Sequence, residues 1–227
     1  MSIILHGDYI SQPCRSLGIF LKVNNIDFQL NDLQIYKGSA VYASIHTEEY
    51  ARMNPFKRVP TLEIDGMFIV ESVAALQYLG DRKDVADHWY PKDLKDRALV
   101  NTYLAWHPAD MRKHAHGYVQ ALFGGGSIDE STAKSNYEAM LDNLETIWLK
   151  ANPFLAGSKL TIADLHCVCE LSQLEAYGKG YLTEQRPKLA VWMEKVKANL
   201  QPHFNEVHTS FMAEAGERYQ EYKSAKL

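Results

Sequence analysis

Thr61-Leu62-Glu63-Ile64-Asp65-Gly66-Met67-Phe68-Ile69-Val70 sets two short apolar runs on either side of an Asp-Gly pair. Asp-Gly tolerates the positive φ angles of a tight two-residue turn, so the segment predicts a β-hairpin. Glu71-Ser72 follows at once and opens an apolar helix through Leu79. Upstream, Ile3-Ile4-Leu5 is a short apolar run closed by His6-Gly7-Asp8, the pattern of a buried strand. Ser11-Gln12-Pro13 then opens a helix, with a polar cap and a proline placed where its missing N–H costs nothing. Leu17, Ile19, Phe20, Leu21 and Val23 give that helix its apolar side, and Asn24-Asn25 ends it. Phe28, Leu30 and Asp32 alternate with polar neighbours as a second strand would. Strand, helix and strand in this order favour a right-handed parallel unit. Residues 1–81 therefore read βαβ then ββα on a mixed four-stranded sheet, with 36–53 as a polar, partly helical connection.

Downstream the pattern changes. From Asp81 to Lys95 the chain is charged and contains Pro91, and residues 82–94 read as a linker. Residues 95–227 then read as helices only. Val100, Tyr103, Leu104, His107 and Met111 share one side of a helix. Tyr137, Met140, Leu141, Leu144, Ile147 and Trp148 form a cleaner stripe. Ala163 to Tyr177 is apolar nearly all round, which places it at the centre of the helical domain. Leu189, Trp192, Met193, Val196 and Leu200 make another face, and Phe204, Val207 and Phe211 a last helix before a solvated tail from Tyr219 to Lys226. Thr161 and Asp164 form a carboxylate variant of the capping box, with Leu160 and Leu165 placed as a hydrophobic staple. That is folding chemistry.

Bulk composition excludes several classes of function. The 24 basic residues against 28 acidic ones leave a net charge of −4, which gives no electrostatic reason to expect nucleic acid. No apolar run approaches the roughly 18 residues of a membrane span. Met1 to His6 lacks the charged start and long apolar stretch of a signal peptide. Three cysteines, with Cys167 and Cys169 only two positions apart, argue against a disulfide framework. The expectation is a soluble, cytoplasmic, mostly helical protein that binds neither nucleic acid nor membrane.

The chemistry-bearing residues gather in three places. Ser11 sits at a helix N-terminus, where unpaired N–H groups favour an anion; its hydroxyl is either a helix cap or a donor to a bound thiolate. Ser11-Gln12-Pro13-Cys14 looks like a redox Cys-x-x-Cys motif whose first cysteine is a serine. Cys14 is then a packed residue in the first turn or, less in keeping with the loss of the exposed thiol, a nucleophile. Val59-Pro60, at the start of a strand, is a candidate cis peptide against the ordinary trans turn. A cis bond would leave the Val59 backbone free to pair with an extended peptide. Glu71-Ser72 offers a carboxylate, a hydroxyl and helix-start N–H groups, which suit a ligand carrying both a carboxylate and an ammonium, although Ser72 alone reads as a cap.

Together, Ser11-Gln12-Pro13-Cys14-Arg15, Asn54-Pro55 through Val59-Pro60, Glu71-Ser72, Trp89-Tyr90-Pro91 and Tyr103-Leu104-Ala105-Trp106-His107 resemble a theta-class glutathione transferase, as does the Thr161–Asp164 cap. The resemblance covers nearly the whole chain and is strongest to about Arg112. It implies a thioredoxin-like N-terminal domain, an all-helical C-terminal domain that contributes the electrophile pocket, and a homodimer. It implies glutathione as co-substrate, no bound cofactor or metal, and small hydrophobic electrophiles: alkyl halides, epoxides, activated alkenes or peroxides. Carried over by position, Ser11 stabilises the glutathione thiolate, helped by a cation such as Arg15 or Arg112. Arg58, Val59 and Pro60 hold the glycyl and cysteinyl parts, and Glu71 and Ser72 the γ-glutamyl group. His46 is the candidate for the glycine carboxylate, behind a stretch from Gly38 to Ile45 that is longer than the family's. Arg112, Tyr9, Trp106 and Met111, with Tyr118, are the candidates for the electrophile pocket.

Other signals carry less. His107, His114 and His116 do not share one helical face, so they do not read as a metal set. Cys167-Val168-Cys169 reads as core, and Gly124-Gly125-Gly126 follows a helix rather than a strand, so it is a connection and not a phosphate loop. Two further functions stay open on the sequence alone: a non-catalytic dimerisation module of transferase type, and a thiol-disulfide activity through Cys14.

Overall fold

A computed structural model describes residues 2–35, 44–178 and 184–225. The chain gathers into two compact units, Met1–Ala86 with Leu200–Phe211 and Asp87–Asn199 with Met212–Leu227. Leu200–Phe211, within the helical stretch 95–227, groups with the first unit.

In the first unit, β1 (Ile3–Gly7), α1 (Gln12–Val23) and β2 (Gln29–Asp32) precede a short 3-10 turn, Ser44–His46, and α2 (Glu48–Met53). β3 (Thr61–Ile64), β4 (Met67–Ile69) and α3 (Ser72–Gly80) complete it. The sheet order is β2-β1-β3-β4, with β1 parallel to β2 and antiparallel to β3, and β3 antiparallel to β4. This is the mixed four-stranded sheet of a thioredoxin-like domain. Asp65 (φ 48°) and Gly66 (φ 84°) both take the left-handed region, as the tight turn between β3 and β4 requires. α1 and α3 pack on each other and on the sheet. Between them lie Leu5, Leu17, Phe20, Leu21, Leu62, Leu76 and Leu79, all fully buried. The Gly38–Ala43 part of the lengthened stretch before His46 lies outside the described residues.

The second unit is helical. Its helices are α4 (Leu94–His107), α5 (Lys113–Leu122), α6 (Glu130–Asn143), α7 (Ile162–Glu175) and α8 (Pro187–Asn199). α9 (His203–Ser224) begins among the residues of the first unit and ends among those of the second. Every residue of α7 from Ile162 to Leu174 is buried, as expected of a central helix. A π-helical turn, Pro108–Arg112, joins α4 to α5, and another, Leu144–Trp148, follows α6.

Two expectations need correction here. Ile147, placed in the buried stripe, is 64% exposed. A π turn inserts one residue and so rotates the following face by about 100°. The buried position therefore passes to Leu149. Tyr219, expected in a solvated tail, is buried. Its ring lies 5.5 Å from that of Phe123 and 5.4 Å from that of Tyr177, and the Tyr222 ring lies 5.3 Å from that of Phe123, so the last helix is docked by aromatic packing as far as Tyr222. Lys226 lies outside the described residues.

Candidate active site

Sheet topology brings most of the candidate residues to one end of the first unit. β1 ends at Gly7 and runs on to Ser11, while His6 pairs with Thr61, so β3 begins at the same end. β4 runs antiparallel to β3 and therefore finishes there too, delivering Glu71 and Ser72. The loop after β1, the Arg58-Val59-Pro60 segment and the start of α3 thus share one edge of the sheet. It is the edge formed by the carboxyl ends of the parallel strands, where open α/β sheets bind ligands.

Ser11 is the N-cap of α1 by backbone geometry, yet its hydroxyl makes no capping bond to the helix N–H groups. It is half-buried and lies within hydrogen-bonding reach of the Cys14 thiol. Cys14 is itself fully buried, and burial pushes its thiol up to about 11 against smaller opposing effects of the Ser11 hydroxyl and the Asp8 backbone. A Cβ at Gly7 would stand 2.6 Å from the Cys14 Sγ, so the sulfur fills the space that a side chain at Gly7 would need. Cys14 is packed core and not an exposed nucleophile, which removes the basis for a thiol-disulfide activity.

Arg15 is anchored beneath the same loop. It is fully buried, donates from Nη1 to the carbonyls of Tyr9 (2.8 Å) and Ile10 (3.0 Å), and stacks 3.8 Å from the Phe211 ring centroid. The guanidinium fixes the loop that carries Ser11 from the buried side. Tyr9, half-buried in that loop, is pushed up to about 12, first by burial and then by Cys14 and Asp32, so it remains a neutral phenol.

The Val59-Pro60 bond is cis. What shapes the loop before it is a buried polar cluster that the motif alone did not reveal. The Tyr50 hydroxyl donates to the Arg58 carbonyl (2.8 Å) and shares a hydrogen bond with the Thr61 hydroxyl (3.0 Å). Asn54 Nδ2 donates to the same carbonyl (2.8 Å) and to Thr61 Oγ1 (3.0 Å), while its oxygen accepts from the Phe56 N–H (3.0 Å). Tyr50, Asn54 and Thr61 are all buried, whereas Arg58 is exposed and Val59 half-buried. Thr47 caps α2, accepting from the Tyr50 N–H, and so ties this cluster to the turn that ends at exposed His46. Glu71 is the exposed N-cap of α3 and makes no side-chain capping bond; Ser72, half-buried, is the first helical residue.

The helical unit holds the remaining candidates. Arg112 Nη1 donates to both carboxylate oxygens of fully buried Glu170, at 2.9 and 3.2 Å. Half-buried Trp106 packs against Tyr103 and Trp148 with ring centroids 5.7 and 5.4 Å away. Met111 and Tyr118 are buried, with no surface open to solvent, and the Tyr118 ring lies 5.6 Å from that of Tyr137. His107 pairs with Tyr103 and His166 rather than forming a set with His114 and His116.

Comparison with known proteins then decides the family. Residues 15–81 match the model of the glutathione S-transferase N-terminal domain, and residues 114–199 that of the C-terminal domain. Rat glutathione S-transferase theta-2 is 38% identical over 96% of this chain and 90% of its own length. Mouse glutathione S-transferase theta-1 is 36% identical over 92% of this chain and 88% of its own. The chain belongs to the theta class of the glutathione S-transferases. Human glutathione transferase theta-2, in complex with glutathione and an unknown ligand, superposes with a TM-score of 0.85 at 33% identity, covering 97% of this chain and 91% of that one. This theta-class chain is accordingly a glutathione-dependent transferase with glutathione as its co-substrate. A non-catalytic module is not favoured.

Proposed function

We propose that this transferase activates glutathione through the Ser11 hydroxyl and transfers the thiolate sulfur to small uncharged electrophiles. The observation that carries this reading is the Ser11 side chain itself, half-buried at the start of α1 and not used to cap that helix. A free thiol ionises at about 8.5, so lowering it by ~2 units requires roughly 2.7 kcal/mol of preferential anion binding. One hydroxyl donor and the N-terminal end of a helix together supply much of that. Arg58 and the Val59-Pro60 backbone hold the glycyl and cysteinyl parts, His46 the glycine carboxylate, and Glu71 with Ser72 the γ-glutamyl ammonium and carboxylate.

In the transfer step the sulfur lone pair forms a bond to carbon. The carbon–halogen bond breaks with both electrons leaving on halide, or an epoxide or activated alkene opens and takes up a proton. Tyr9, Trp106 and Arg112 are the side chains proposed to meet the electrophile. A homodimer is proposed with this chemistry, as the theta-class resemblance implies. Free cysteines, together with the lack of a described helix long and apolar enough to cross a membrane, are in keeping with a cytoplasmic enzyme.

The test is turnover of glutathione with a panel of alkyl halides and epoxides. Ser11→Ala is expected to lower kcat at least roughly tenfold with little change in glutathione affinity, and to abolish the thiolate absorbance of the bound tripeptide at neutral pH. Undiminished turnover in that variant would sink the assignment.

A further inference from the structure

Glu170 is an unusual residue for its position. It lies on α7, the helix buried on every side, and is itself fully buried. A carboxylate there loses its hydration and persists only with close charged partners. Arg112 is that partner: its Nη1 straddles both carboxylate oxygens at 2.9 and 3.2 Å, while the side chain keeps 34% of its surface exposed. The pair is therefore directional, with the cation at the surface and the anion behind it.

Among the described residues, the histidines near the pair add no positive charge. His107 Nε2 is 3.9 Å from Glu170 Oε2 and its ring lies 4.1 Å from that of His166. His107, His116 and His166 are all held neutral, first by burial, with the Arg112 charge acting in the same sense on each. Arg112 thus keeps part of its side chain in solvent while its positive charge is balanced from inside by a buried carboxylate that water does not screen.

We propose that Glu170 is a specificity-determining residue: by cancelling the charge of Arg112 from within, it biases the enzyme toward uncharged electrophiles and against anionic ones. The proposal rests on the reading of Arg112 as a residue that meets the electrophile. It also explains why a carboxylate occupies a helix position where a packed apolar side chain would be the ordinary choice.

A matched pair of benzylic halides tests it, para-chloromethylbenzoate and its uncharged methyl ester, assayed with the full chain and saturating glutathione. Glu170→Gln keeps the shape but removes the anion, and should raise the ratio of kcat/KM for the carboxylate over the ester by roughly fivefold or more. Arg112→Gln removes the guanidinium that would meet the ligand and should lower the same ratio. R112Q/E170Q should return it to near the parental value, and this comparison stands even if the Glu170→Gln single variant does not fold. If Arg112→Gln leaves the ratio unchanged, Arg112 does not meet the electrophile, and both readings fall. If Arg112→Gln shifts the ratio but removing the carboxylate, alone or in the double variant, does not move it, the charge-cancelling role alone is overturned and Glu170 is a structural partner.

Discussion

Asn54 donates from one amide nitrogen to both the Arg58 carbonyl and the Thr61 hydroxyl, and its oxygen receives the Phe56 N–H. Three buried or half-buried groups thus depend on one side chain, and Tyr50 duplicates two of its contacts. Asn54→Ala should cost roughly 2 kcal/mol of stability, since it leaves buried groups without their partners. It should raise the KM for glutathione roughly fivefold while kcat changes little, because the side chain shapes the loop and touches no reacting atom. Steady-state kinetics at varied glutathione, beside urea denaturation, checks both halves; an unmoved KM would separate this cluster from the binding loop. At Arg15, a cation three residues after a helix start looks available from the sequence, yet full burial and two backbone acceptors commit it to holding the loop.

Among the elements, α7 is fixed at its start by a side-chain network larger than its cap. The Thr161–Asp164 capping box forms as expected. Asp164 also accepts from the Leu155 N–H and from Trp192 Nε1, each at 2.8 Å, so one carboxylate joins the α7 start, the loop before it and α8. Asp164→Ala should destabilise the chain by roughly 3 kcal/mol or more, because several buried donors lose their acceptor at once. Urea midpoints check this, and the surviving folded fraction should keep its glutathione KM. An unshifted midpoint would contradict the role. The two π turns act at this scale as well. Pro108 has no N–H to continue the helical ladder, which favours a break in register there. At Leu144–Trp148 the inserted residue is why the stripe read from the sequence fails at Ile147 and resumes at Leu149.

For the molecule as a whole, the buried histidines set a pH limit on stability. His166 and His116 are lowered to about 4, first by burial and then with Arg112 acting in the same sense. The unfolded chain takes up protons below about 6.5 that the folded histidines refuse, so stability is complete above that pH and is lost as pH falls toward 4. At about pH 5 the loss attributable to fully buried His166 should be roughly 2 kcal/mol. Denaturation at neutrality and at that pH, for the parent and for His166→Asn, checks it: the variant should show a shallower fall, and an identical fall would remove His166 as the cause. The sequence by itself determined the thioredoxin-like sheet and the helical remainder, because strand alternation, the Asp-Gly turn and the helix caps are local and act through backbone conformation. The same local chemistry marked Ser11, the Val59-Pro60 segment and Glu71-Ser72. Only the tertiary structure decided that Arg15 is a buried anchor, that Tyr50, Asn54 and Thr61 support the loop, and that Glu170 backs Arg112. Arg15 meets Phe211 and Arg112 meets Glu170 across long stretches of chain, the Tyr50–Thr61 cluster closes only when its loop folds, and whether a charge faces water or a buried partner depends on packing that no sequence spacing encodes.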